Sequence, residues 1–198
     1  MTLLISGLSH PDTVTLLTLQ QAAITPLRKA SRQMKLAAKG EDDDAIECSR
    51  TWFGDVSTNW LKAVAKDLNM MASLVNVSPI KVHAMPPSQR EHAFACSKIK
   101  RSENQNYARN SAPLSAAAGK HFEIELHKRW FQSPVFRTAQ NPDSRFQTLI
   151  HELSHIFLKT EDMPMSEGYD TCQLTASVFS TSAKKNADNW AYFVQDFR

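Results

Sequence analysis

Apolar residues recur at helical spacing over the long stretches of this chain and alternate over the short ones. Between residues 11 and 38, Leu16, Leu17, Leu19, Ala23, Ile24 and Leu27 supply one apolar face, and Arg28, Lys29, Arg32, Lys35 and Lys39 make the far end basic. Pro26 predicts a kink or break there, since proline lacks the backbone donor and its ring crowds the preceding turn. The basic cluster reads as a solvated face near a helix C-terminus. Residues 40–44 read as a loop whose adjacent carboxylates lack the spaced ligands of a calcium site. Asp55 is the expected cap of a second helix over 56–75, on which Trp60, Leu61, Val64, Leu68, Met71 and Leu74 share a face.

Strand patterns follow. Residues 80–85 and 92–96, separated by Pro86, Pro87 and Ser88, read as two short strands. His83 and His92 on them have no motif partner and read as surface or satisfied structural residues. The polar stretch 97–120 reads as a long loop or insertion. Residues 121–127 alternate with period two, which predicts a strand with His121, Glu123, Glu125 and His127 on its solvent face. Trp130, Phe131 and Phe136 are expected beneath the next loop, and two helices, 166–182 and 185–197, complete the order. The prediction is an α+β fold: a helical N-terminal segment over 1–50 and a second region over 51–198 with a small mixed sheet, together one compact unit.

One helical stretch carries chemistry. Phe146, Leu149, Ile150, Leu153, Ile156 and Phe157 form an apolar stripe around His151-Glu152-Leu153-Ser154-His155, an HExxH sequence. Residues four apart lie one turn apart on the same helix face, so both imidazoles can reach one zinc ion. Glu152 then stands where it can act as general base on a metal-bound water. A buried helix must pair or ligate such polar groups, because leaving them bare is costly. Asp143 or Ser144 is the expected cap of this helix. A catalytic zinc needs a third protein ligand and an open position. Glu167 follows too closely for a thermolysin-like arrangement, and Leu158 and Glu161 stand where HExxHxxGxxH would need Gly and His. Asp162, just past the helix, is the preferred third ligand, with Glu161 its rival. The 121–127 strand is the candidate to pair with extended substrate, as a strand beside the active helix commonly does in zinc peptidases.

Composition narrows the class. A chain of 198 residues, 42% hydrophobic and 22% charged, suits a soluble fold with a real core. A net charge of +3, with no basic block interleaved with aromatics, argues against a nucleic-acid partner. No apolar run is long enough to span a membrane. The first residues lack the basic region and long apolar core of a secretory signal. Cys48, Cys96 and Cys172 form no CxxC pair, so free buried thiols are expected rather than a thiolate metal site.

Several separated segments, in order, resemble the aspzincins, the deuterolysin and peptidyl-Lys metalloendopeptidase family with a zincin-like domain. These are Thr51-Trp52-Phe53-Gly54, the HExxH with Thr148-Leu149-Ile150 before it, Thr160-x-Asp162, Cys172-Gln173-Leu174, and residues 186–193, which resemble NADNxxYF. The resemblance implies one Zn2+ held by His151, His155 and Asp162, with Glu152 as general base, acting on a protein or peptide substrate. It also implies an active-site tyrosine that donates to the oxyanion. Met165-Ser166 occupies the family's Tyr-Gly position and Lys159 its Gly, which leaves Tyr169 as the nearest substitute. Asp188 matches the acid that receives the substrate lysine in lysine-specific members, but Ala191 stands where its acidic partner would be, so lysine preference is not implied. The sparse cysteines and missing signal resemble bacterial members exported as effectors without a cleaved leader, or cytoplasmic before delivery. The alternative is a toxin-like or binding module in which zinc is only structural.

Overall fold

The computed structural model describes residues 3–77, 80–89, 94–98, 122–163 and 165–198. Ser9 starts helix α1 (His10–Ala37), its hydroxyl accepting from the Asp12 N–H at 3.3 Å, with Pro11 in the first turn, where a missing donor does no harm. Pro26 lies inside α1 without ending it. The proline is itself buried on the helix's core face, where packing along Leu16, Leu19, Ala23, Leu27, Ala30 and Met34 outweighs one lost backbone bond. The expected break is therefore corrected to a continuous helix.

The acidic run also differs from expectation. Asp42 caps helix α2 (Asp43–Phe53) by accepting from the Ala45 N–H, and Asp43 and Asp44 fill the first turn, where carboxylates complement the helix dipole. Gly54 ends α2 in the left-handed region at φ 64°. Residue 50 thus lies inside α2, and no boundary falls between 1–50 and 51–198. Helix α3 (Thr58–Val77) follows, with Ser57 rather than Asp55 at its start: the Ser57 hydroxyl accepts from the Trp60 N–H, and Asp55 accepts from the Ser57 N–H.

Four strands form one mixed sheet in the order β1 (Leu3–Ser6), β2 (Ile80–Ala84), β4 (Phe122–Leu126), β3 (Ala95–Lys98). β1, β2 and β4 run parallel, and β3 pairs antiparallel with β4. Ile80, Val82, Phe122, Ile124 and Leu126 fill the inner side. β4 lies between two strands, so the expectation that it pairs with substrate is overturned: its ladder groups on both sides are already used. Its expected solvent face is wrong too, since Glu125 and His127 are buried and Glu125 Oε1 pairs with His83 Nε2 at 3.2 Å. His92, His121 and residues 99–120 of the polar stretch lie outside the described residues, while residues 97 and 98 end β3.

The short helix α4 (Lys128–Gln132) leads to α5 (Arg145–Leu158), which carries the HExxH sequence. The expected 166–182 helix is two helices, α6 (Tyr169–Val178) and α7 (Ser180–Lys185), parted at Phe179 (φ −131°, ψ 62°). α8 (Ala187–Asp196) packs against α5. A single buried cluster runs from Leu16 on α1 to Phe197 and joins the sheet to every one of these helices except α7. The fold is α+β, mostly helical, with the small mixed sheet beside α5.

Candidate metal centre and cleft

α5 owes its position to the stripe read from the sequence: Phe146, Leu149, Ile150, Leu153, Ile156 and Phe157 are all buried. Ser144 caps it, accepting from the Gln147 N–H at 3.0 Å, and donates to Gln195 Oε1 on α8 at 2.8 Å. The helix stops at Lys159, which takes up the left-handed conformation (φ 60°, ψ 37°) while its N–H bonds back to Ser154. That turn reverses the chain. Glu161 then lies alongside the residues before α8, with its N–H bonded to Lys185 O at 2.8 Å and its carbonyl accepting from the Ala187 N–H at 3.0 Å. Asp162 is thereby returned beneath the two imidazoles, and the Glu161 backbone serves as the stitch.

The donor atoms form a nearly equilateral triangle. His151 Nε2 and His155 Nε2 are 3.0 Å apart, and Asp162 Oδ1 lies 3.1 Å and 3.2 Å from them. These three residues are the group of His, Cys, Asp or Glu side chains able to share a metal among the described residues. Tetrahedral zinc at about 2.0–2.1 Å from each donor sets ligand atoms roughly 3.3 Å apart, so the triangle has the right size.

Tautomers make the case stronger than size does. His151 Nδ1 lies 2.7 Å from Asp188 Oδ1, and His155 Nδ1 lies 2.8 Å from the Thr160 carbonyl. Both partners accept only, so each Nδ1 carries the proton and each Nε2 presents a lone pair. Two lone pairs and a carboxylate oxygen then converge at about 3 Å, which requires a shared cation. Without a metal a proton takes that place. Burial opposes charge on His151, but the bonds to Asp162 and Asp188 outweigh it and push its pKa up to about 10. The same imidazoles hold the Asp162 carboxyl well below the usual carboxylate range.

The triangle opens onto a cleft of about 480 Å³. Glu152, almost fully buried, lines it beside His151, with Thr148, Gln147, Asp143, Glu167 and Asp188. Phe94 and Ala95, at the start of β3, form part of its wall.

Tyr169 is not among the lining side chains. Its ring packs edge-on against Trp52 at 5.0 Å and Tyr192 at 5.3 Å, in an aromatic cluster continuous with the core. The expected oxyanion donor is therefore a packing residue: it opens α6, and the first turn of that helix directs it to Trp52. Asp188 does line the cleft, with its carboxylate taken up by protein donors: Oδ1 by His151 and by Gln147 Nε2 at 3.0 Å, and Oδ2 by the Gly168 N–H at 3.2 Å.

Sequence reasoning missed several supporting residues. Asn189 donates to Trp52 O at 2.6 Å and Cys172 O at 3.0 Å, and Asn186 donates to Ser166 O at 2.9 Å. These two asparagines join the 51–54, 172–174 and 186–193 segments behind the cleft. The segments were legible as motifs, but their mutual contact was not. The Thr160 carbonyl has no side-chain signature at all. Gln147, one turn before His151, was available from the same spacing argument that paired the histidines.

No curated protein sequence matches the chain. Among solved structures, a zinc peptidase from Grifola frondosa superposes with a TM-score of 0.65 at 20% identity, covering 96% of this chain and 97% of that one, a likeness of fold. The family model described as lysine-specific metallo-endopeptidase, the aspzincins, matches residues 38–195. The chain belongs to the aspzincin family of zinc metalloendopeptidases.

Proposed function

We propose that this chain cleaves internal peptide bonds of protein substrates with zinc held by His151, His155 and Asp162 and with Glu152 as general base. The observation that carries the reading is the convergence of two Nε2 lone pairs and one carboxylate oxygen at the floor of an open cleft. Zinc held there supplies Lewis acidity, polarising the scissile carbonyl and lowering the pKa of the attacking water towards ~7. Glu152 accepts the proton of that water and passes it to the leaving amine. Glu152 is nearly fully buried and lines the cleft beside His151. Extended substrate pairs along β3, the sheet edge on the cleft side among the described residues, since Phe94 and Ala95 already line the cleft. Action outside the producing cell, on proteins of another, belongs to the same proposal. It is tested by whether a tagged chain reaches the medium or a neighbouring cell uncleaved.

Glu152→Gln tests the chemistry. The variant is expected to hold one zinc per chain and to lose casein hydrolysis by a factor of about 10²–10⁴. Undiminished hydrolysis would end the general-base assignment. Wild-type protein that binds zinc, cleaves nothing and unfolds on chelation would make the metal purely structural.

A further inference from the structure

Asp188 has two possible employers, an incoming substrate side chain and the imidazole of His151, and its hydrogen bonds discriminate between them. Oδ1 receives His151 Nδ1 at 2.7 Å and Gln147 Nε2 at 3.0 Å, while Oδ2 receives the Gly168 N–H at 3.2 Å. Three donors from two segments, α5 twice and the turn before α6, hold one carboxylate in one orientation. Gln147 is buried, at 4% exposure, and lies one helical turn before His151, so its amide and the imidazole reach the same oxygen from the same helix face. The Asp188 side chain is only 15% exposed. Ala191, one turn further along α8, is fully buried and brings no second carboxylate to the cleft.

We propose that Gln147 and Asp188 form a relay that positions His151 on the metal, and that Asp188 is not the reader of a basic substrate side chain. The inference rests on the zinc reading above. Gln147 fixes the rotation of the Asp188 carboxylate. Asp188 accepts the Nδ1 proton of His151, which keeps the Nε2 lone pair directed at the shared point, and a carboxylate partner makes that lone pair more basic. Gln147 is a positioning residue that acts on the metal site through Asp188, not a metal ligand itself. The motif of this chain therefore extends one turn upstream, to Gln-x-x-x-His-Glu-x-x-His.

The test is zinc affinity of the full-length protein, measured by competition with a chromophoric chelator, with thermal unfolding of each metal-free variant alongside. Asp188→Asn is expected to weaken zinc binding about 10–100-fold. Gln147→Met keeps the volume and removes the donor, so it is expected to bind zinc about tenfold more weakly while unfolding at nearly the wild-type temperature. In the Asp188→Asn background the same change should have no further effect on zinc. Equal weakening in both backgrounds, or none in either, overturns the relay. At saturating zinc, Asp188→Asn should slow cleavage before lysine and before alanine alike, and selective loss of the lysine peptide would return Asp188 to substrate recognition. Wild-type protein that binds no zinc would overturn the function proposed above together with this inference, whereas the outcomes just named overturn this inference alone.

Discussion

Replacing Gly54 by alanine probes how α2 is locked to the helices behind the cleft. Gly54 has φ +64°, and a Cβ built there would overlap the Ala176 carbonyl oxygen and lie 3.0 Å from its carbon and 3.2 Å from Ser180 Cβ. A side chain in the left-handed region costs about 1–2 kcal/mol by itself. Relieving the overlap requires the last turn of α6 to retreat by more than about 1 Å, a distortion of the overpacking kind that adds roughly 1–3 kcal/mol. Gly40 separates the two contributions, since it has φ +77° with nothing within 4 Å of its built Cβ. Gly40→Ala should thus lose only the first contribution, a fall in Tm of about 2–8 °C for a domain of this size. Gly54→Ala should lose roughly 2–5 kcal/mol and fall about twice as far. Urea unfolding of both variants under identical conditions measures the difference directly. Equal losses would show that α6 yields freely and would refute the argument that a fixed carbonyl sets the position of α2.

Other outcomes follow from the same geometry. Lys159→Gly should stabilise the protein by about 1 kcal/mol, because lysine there holds φ 60° at a helix C-cap, and zinc stoichiometry should be unchanged; thermal unfolding and metal analysis check both. Asp162→Ala should abolish zinc retention under dialysis, whereas Glu161→Ala should not, since Glu161 contributes backbone bonds to residues 185 and 187. Asp67 has its pKa raised from 3.8 to about 6, mainly by burial. A raised carboxyl pKa destabilises the fold as pH rises from about 3.8 to about 6, where the unfolded chain ionises first, and the penalty is complete above that. Asp67→Asn should therefore gain at most about 3 kcal/mol at pH 7 and nothing below about pH 4, as read from urea melts at both values. A gain that persists in acid would refute the burial argument.

What the sequence disclosed was mostly what lies on one element. The stripe on α5, the i, i+4 histidines and the Asp162 position past the helix end need only the 3.6-residue period and a turn, and all were legible. α2 was readable in principle, because Asp42, Asp43 and Asp44 are a cap and first turn, but a run of four acids also suits a loop. The continuity of α1 through Pro26 depended on packing that overrides local preference, and no glycine or proline marks the break at Phe179. The errors on β4 came from strand order: alternation tells which residues share a face but not which strands flank it or what covers that face. Tyr169 failed for a related reason. Its place in the chain allowed a reach to the cleft, and only the position of Trp52, more than a hundred residues earlier, directs the ring elsewhere.

The stitch between Glu161 and residues 185–187 has a bearing on synthesis. A chain emerging from the ribosome presents both histidines and Asp162 well before the segment that holds that aspartate in place and the carboxylate that orients His151. On the proposed reading of the site, hydrolytic competence waits for the arrival of α8, so the nascent polypeptide lacks a finished blade while it is still tethered.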